Sequence, residues 1–286
     1  MLRDAITAQG ADVHFDAPVP TGGRAPYNVA CEPGSSSIFP VGESTVRCTA
    51  TDADTVRASC EFSVAVRVPR TISKTKFMAF GDSITAGAVS LAPLMMLGPP
   101  DTYPFKLEQM LLARYPAQTI VVSNRGFGGE HTRDGARRLP QELDANPPEV
   151  LLLLEGINNI NGFSTSVQVD GLRSMVADAQ LRRIDVIIAT VMPMLPTSRL
   201  YRVTTPDRIR ALNAQIFNLA AQYNLGVPVD LFAMFDANPE LIGADGLHPT
   251  VEGQTRIAEA FRDEIVRRYD VSSTTSLRFP AVERWR

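Results

Sequence analysis

The pattern of apolar and polar positions changes character near residue 70. Before that point, short runs alternate with period two: YNVACE, STVRCTATD and ASCEFSVAVRV, separated by the turn clusters PGSSS and PVGES. Alternation of that period sends every second side chain to one face, and the abundance of Val and Thr fits half-buried strands. Residues 1–70 therefore read as a small all-β sandwich. After the Pro- and Lys-bearing segment VPRTISKTK, the apolar runs become continuous and almost uncharged: FMAF, TIVVSN, VLLLLEG, DVIIAT and GVPVD. Such runs fit strands buried on both faces of a parallel sheet. Between them lie amphipathic stretches of helical length, for which Thr132, Ser166, Thr205 and Thr250 are the expected N-caps. Five strands alternating with five helices predict an α/β domain, a three-layer α/β/α sandwich around a five-stranded parallel sheet. The expected boundaries are 1–70 for the accessory β domain, 71–272 for the larger domain and 273–286 for a C-terminal extension.

Composition narrows the function classes. The 286 residues carry a formal net charge of -3 with no long basic run, which points away from nucleic acid and anionic membrane surfaces as partners. No segment approaches the roughly 18 uninterrupted apolar residues of a membrane span. The first 15 residues lack the apolar core of a signal peptide, which suits a cytosolic chain or one whose signal is not in this sequence. All three cysteines, Cys31, Cys48 and Cys60, fall in the first 60 residues. A cysteine-bearing small module beside a cysteine-free larger one suits a secreted or periplasmic protein with one disulfide and one spare thiol. A disulfide would also compensate for a small core. Three single pairings are open, with Cys31–Cys48 slightly favoured; three reduced, buried thiols are the alternative. No pair has C-x-x-C spacing, so no metal site is expected, and no cofactor is called for.

The candidate chemistry lies just after the expected strands, where open parallel sheets bind ligands. The first strand runs into Gly81-Asp82-Ser83-Ile84-Thr85. A hydroxyl at a strand-to-helix turn is placed to attack a carbonyl, with helix N–H groups nearby for a developing oxyanion. Asp82 reads as a structural residue that bonds this turn. The second strand ends in SNRGFGGEHT, whose glycines permit positive φ or close approach to a ligand. The third ends in EGINN, where the amide of Asn158 is a candidate oxyanion donor. In GADGLHPT, Asp245 stands three residues before His248. Across such a turn the carboxylate reaches one imidazole nitrogen and leaves the other free as a base. Of the other two histidines, His14 falls in the accessory domain and His131 in the glycine turn, as a bystander or a substrate contact.

Each motif is weak alone, but all four fall on one edge of the expected sheet. In their order GDSIT, NRGFGG, GINN and DGLHP resemble the SGNH (GDSL-type) hydrolases over about residues 75–270. DTYPFKLEQMLLARYP is also similar to that family's first helix. The resemblance implies a flavodoxin-like sheet and a catalytic role for the larger domain, with Ser83 as nucleophile, His248 as base and Asp245 orienting it. It further implies an oxyanion hole from the backbone N–H groups of Ser83 and Gly129 plus the side chain of Asn158. Gly129 is preferred to Gly126 by counting from Asn124. The family usually has Asp after the oxyanion asparagine, where this chain has Asn159. Separately, residues 5–68, and above all CEPGSSSIFPVGESTVRCTATDADTVRASCEFSVAV, resemble the hyalin-repeat module. That is an immunoglobulin-like accessory domain used in adhesion or spacing.

The implied activity is hydrolysis of carboxylic esters through a covalent acyl-enzyme, with no cofactor. The apolar loop at residues 88–104 offers Leu94, Met95, Met96 and Leu97 as an acyl pocket, which favours short-to-medium acyl esters; packing of that stretch on the core is the alternative. The accessory module suits substrates linked to lipid or polysaccharide. A carbohydrate O-acetyl esterase, a (lyso)phospholipase-type lipase and an acyltransferase would use the same triad, and a binding protein with an inactive hydrolase domain is the rival from another class. Oligomeric state is not legible.

Overall fold

The computed structural model describes residues 1–5, 9–89 and 95–271, and its contacts cluster into two compact units. The C-terminal stretch expected as an extension lies outside the described residues. The first unit comprises residues 1–71 with Tyr115–Ala117 and, among the described residues, Val271. Its strands are β1 (Leu2–Asp4), β2 (Ala11–Val13), β3 (Asn28–Glu32), β4 (Ser37–Phe39), β5 (Gly42–Thr51) and β6 (Arg57–Arg67). They form a four-stranded sheet in the order β1-β6-β5-β3 and a separate antiparallel pair, β2-β4. Alternation does the sorting: along β5, Val46 and Cys48 are buried while Thr45 and Arg47 face out. Val13, Phe15, Phe39, Val46, Val64 and Val66 make the core, with Phe15 edge-on to both Phe39 and Phe62. A disulfide joins Cys31 to Cys48 and leaves Cys60 free and exposed.

The second unit spans Ile72–Arg114 and Gln118–Asp270. Its central strands are β7 (Lys76–Gly81), β8 (Val121–Gly126), β9 (Val150–Leu154) and β10 (Asp185–Ile188), all parallel, in the order β8-β7-β9-β10. Every residue of β9, VLLLL, is buried, as a central strand covered on both faces requires. The fifth apolar run, GVPVD, joins the sheet beside β10 only as a single parallel bridge from Val229 to Ala189. Pro228 has no N–H to donate, which shortens the ladder there.

The helices are α1 (Ser83–Ala86), α2 (Tyr103–Arg114), α3 (Thr132–Ala145), α4 (Thr165–Leu181), α5 (Thr205–Gln222), α6 (Leu231–Ala237) and α7 (Val251–Tyr269). α2 packs with α7, while α3, α4 and α5 pack in series, giving the three-layer α/β/α arrangement. Thr250 caps α7 through Gly253 N–H at 3.0 Å. The other three cap positions are shifted. α3 begins at Thr132 itself, α4 is capped by Ser164 rather than Ser166, and α5 begins at Thr205. Ser164-Thr165-Ser166 offers three adjacent hydroxyls, and the extended backbone at Ser164 selects the first. The Thr205 hydroxyl instead accepts from Arg202 N–H, fixing the loop before its own helix. No helix among the described residues is long and apolar enough to cross a membrane.

Candidate active site

The register brings three strand ends to one level, with Gly81 opposite both Gly126 and Leu154. Each strand then releases one of the loops singled out in the sequence. A side chain at Gly81 would strike the Leu154 carbonyl, and one at Gly126 would come within 2.0 Å of the Ala86 backbone nitrogen. The two glycines thus let the Gly-Asp-Ser turn sit between its neighbouring strands.

Ser83 opens α1, one residue after the N-cap. Asp82 is that cap, accepting from Ile84 N–H at 2.9 Å. Ser83 Oγ lies 2.9 Å from His248 Nε2, and His248 Nδ1 lies 2.7 Å from Asp245 Oδ2. With Nδ1–H donating to the carboxylate, the lone pair on Nε2 faces the serine hydroxyl. The second oxygen of Asp245 accepts from the N–H groups of Leu247 and His248, both at 3.0 Å. Partial burial pushes the Asp245 pKa up, but the bonds from His248 and the two backbone N–H groups outweigh it and hold the carboxyl below its usual range. Asp245 therefore stays ionised where the imidazole needs a negative partner.

One further residue sets this spacing. Gln254, buried on α7 a turn and a half after His248, accepts from Tyr103 N–H at 2.9 Å and donates to the Ile84 carbonyl at 3.0 Å. The helix entered through His248 is thereby tied to the helix that starts at Ser83. Thr85 and Tyr103 add a buried hydroxyl pair at 3.1 Å. Nothing in the local sequence marks Gln254, because both of its partners are backbone atoms about 150 or more residues away.

Between the other two loops, Asn158 Nδ2 donates to the Glu130 carbonyl at 3.0 Å, linking the third loop to the end of the glycine turn. Gly129 has φ +75° and nothing within 4 Å of where a Cβ would stand, so it borders open space. The turn is held at both ends by Arg138. Its guanidinium grips the buried Glu130 carboxylate at 2.7 and 2.5 Å, donates to the Arg125 carbonyl at 3.0 Å and lies 4.0 Å over the Phe80 ring. The sequence motifs missed this brace, since Arg138 is the seventh residue of what reads as an ordinary helix.

Of the four residues expected to line an acyl pocket, Leu94 and the side chain of Met95 lie outside the described residues, as does the side chain of Asn159. Met96 is 57% exposed in a two-residue ladder with Ala88, and Leu97 N–H bonds the Gly87 carbonyl. His131 packs edge-on against Phe163 beside the glycine turn.

Two acids beneath the site have their pKa raised by their surroundings. Burial raises the Asp82 pKa to about 7; bonds from Ile84 and Gly156 N–H oppose the shift and the Glu130 charge adds to it. Glu155 is 2% exposed, and neither carboxyl oxygen has a hydrogen-bond partner. Burial, then the charges of Asp82 and Glu130, push it well above the usual range. The sign for stability follows. An acid with a raised folded pKa binds its proton more tightly when folded, so its contribution falls as pH climbs from near 4 to about 7 and is flat above. In Asp82→Asn that slope disappears. The wild-type-minus-variant stability, measured by urea denaturation, is expected to fall by up to roughly 4 kcal/mol between pH 4 and pH 8. A difference independent of pH would return Asp82 to an ordinary carboxyl.

Comparisons with known proteins bear on both units. Residues 9–66 match the HYR domain. An arylesterase from Vibrio mimicus is 25% identical over 197 residues, covering 67% of this chain and 88% of that protein. The lipase/acylhydrolase from Enterococcus faecalis superposes with a TM-score of 0.59 at 26% identity, over 68% of this chain and 97% of its own. A psychrotrophic esterase from Pseudoalteromonas sp. shares the fold at 20% identity, with a TM-score of 0.54 over 67% of this chain and 96% of its own. Residues 79–256 match the GDSL-like lipase/acylhydrolase family, so the chain belongs to that family and is a carboxylic ester hydrolase.

Proposed function

We propose that the protein is a serine esterase acting on short-to-medium acyl esters through Ser83, His248 and Asp245, with the backbone N–H groups of Ser83 and Gly129 and the Asn158 amide as the oxyanion hole. The observation that carries this reading is the hydrogen-bonded file Ser83–His248–Asp245 at 2.9 and 2.7 Å. His248 Nε2 takes the hydroxyl proton as Ser83 Oγ attacks the ester carbonyl. The negative charge gathers on the carbonyl oxygen, the alcohol leaves with the proton from His248, and water repeats the sequence on the acyl-enzyme. On this reading the catalytic unit is 71–272, and 1–70 serves as an immunoglobulin-like spacer or adhesion module. The disulfide and that module favour secretion or the periplasm.

Similarity to an arylesterase makes aryl esters the first substrates to try. A series of p-nitrophenyl esters from acetate to palmitate tests the acyl preference. kcat/KM is expected to peak at short-to-medium chains and to fall for palmitate. Rates that climb to the longest chain would point to a lipase. Product diverted to an added alcohol in preference to water would point to an acyltransferase. Turnover no faster for wild type than for Ser83→Ala across the series would leave only a binding protein.

A further inference from the structure

The first unit holds three cysteines in one cross-strand row. Cys31 of β3 lies opposite Cys48 of β5, and Cys48 lies opposite Cys60 of β6. Residues directly opposite on antiparallel strands point to the same face, so all three side chains leave the same side of the sheet. Cys48 stands in the middle, bonded to Cys31 on one flank and facing the free Cys60 on the other.

The ladder's phase tells how far apart Cys48 and Cys60 are. Asp52 N–H bonds the Val56 carbonyl at 3.0 Å, which makes that opposed pair a hydrogen-bonded one. Hydrogen-bonded and non-hydrogen-bonded pairs alternate, so the pairs at 50 and 48 two and four residues along β5 follow the pattern Asp52 sets, and Cys48–Cys60 is again hydrogen-bonded. Such pairs have Cα atoms about 5.5 Å apart, inside the roughly 4.4–6.8 Å that a disulfide spans. Cys48 can therefore bond to either neighbour with the backbone where it is. The approach is open as well, since Cys48 and Cys60 both line one cavity of about 320 Å³, together with Pro18, Tyr27 and Val29.

We propose that this row is a thiol–disulfide exchange site, in which the disulfide moves between Cys31–Cys48 and Cys48–Cys60. The Cys60 thiolate attacks Cys48 Sγ from the side opposite Cys31, the arrangement an in-line displacement requires. The Cys48–Cys60 bond forms as the Cys31–Cys48 bond breaks. The electron pair leaves on the Cys31 sulfur, which takes up the proton Cys60 gave away, and no oxidant or reductant is consumed. The two isomers differ in what they hold. Cys31–Cys48 staples the edge strand β3 to β5. Cys48–Cys60 joins two strands already held by a ten-pair ladder, and it leaves β3 held to β5 by its five-pair ladder alone while moving the thiol to the sheet edge.

The test uses the full chain. Protein is incubated at pH 6 or pH 8, free thiols are trapped with N-ethylmaleimide, and unreduced peptides are mapped by mass spectrometry. The expected result is label on Cys31 as well as Cys60, with a matching Cys48–Cys60 peptide. The mixture should form faster at pH 8, because the thiolate is the nucleophile. Cys60→Ser should show only Cys31–Cys48, and Cys31→Ser should oxidise to Cys48–Cys60. Label on Cys60 alone after prolonged incubation overturns the proposal, as does a folded Cys31→Ser that keeps two free thiols where wild type forms its disulfide. If Cys31→Ser does not fold, the wild-type labelling decides by itself.

Discussion

Alanine at Ser83 or at His248 is expected to lower kcat on a p-nitrophenyl ester by about 10⁶-fold, and the double variant hardly further. The two side chains share one hydrogen bond at 2.9 Å, so removing either leaves no activated nucleophile. Without the imidazole, Ser83 is an ordinary alcohol, almost wholly protonated at neutral pH. Without the hydroxyl, the base has nothing to activate but water. Asp245→Asn should cost less, about 10⁴-fold, by favouring the wrong imidazole tautomer. The carboxylate accepts from Nδ1–H at 2.7 Å, whereas an amide NH₂ in that place would donate to Nδ1 and move the proton to Nε2, where it faces Ser83. The backbone bonds from Leu247 and His248 to the other oxygen would survive, so the turn should keep its shape. Equal kcat values for wild type, Ser83→Ala and His248→Ala, after active-site titration to exclude contaminating esterase, would remove the triad reading altogether.

How much of this could be read in the sequence depends on the range of the interactions. Period-two and continuous apolar runs are local, and they located both units and four strands of the parallel sheet. The Asp245–His248 pair is local too, three residues apart in one turn, and Ser83 is marked by its position after an apolar run. What escaped is whatever has a backbone atom as its partner in another element. Gln254 looks like any polar residue on a helix until its amide is seen to bridge Tyr103 N–H and the Ile84 carbonyl. Arg138 looks like a solvated helix charge until the Arg125 carbonyl, the Glu130 carboxylate and the Phe80 ring converge on it. Glu155 escaped for a different reason. It follows four leucines, and only the packing shows that the sheet buries it with no partner for either oxygen. The shifted caps at α3, α4 and α5 fail by one or two residues: at α4 adjacent hydroxyls compete and backbone geometry chooses among them, while the caps of α3 and α5 fall one residue early, at His131 and Thr204, with no side-chain cap bond.

Asn158→Ala is expected to reduce kcat by about 10²–10³-fold with KM nearly unchanged, as loss of one oxyanion donor does elsewhere. The amide nitrogen carries two hydrogens. One is spent on the Glu130 carbonyl at 3.0 Å, which orients the group; in the proposed oxyanion hole the second meets charge that develops on the substrate oxygen. A bond that strengthens only as that charge appears lowers kcat when removed and leaves ground-state binding alone. Asn158→Asp should be worse still, since a carboxylate has no hydrogen to donate and would repel the oxyanion. Glu130→Gln probes the support behind the donor. The isosteric amide weakens the charge-assisted grip of Arg138 on the glycine turn, so kcat should fall in the same direction but by less than in Asn158→Ala. In the Asn158→Ala background the same change should cost less than it does in wild type, because one of the two donors it helps to place is already gone. Full additivity would separate Glu130 from the oxyanion hole, and an Asn158→Ala variant that raises KM at constant kcat would make Asn158 a ground-state binding residue instead.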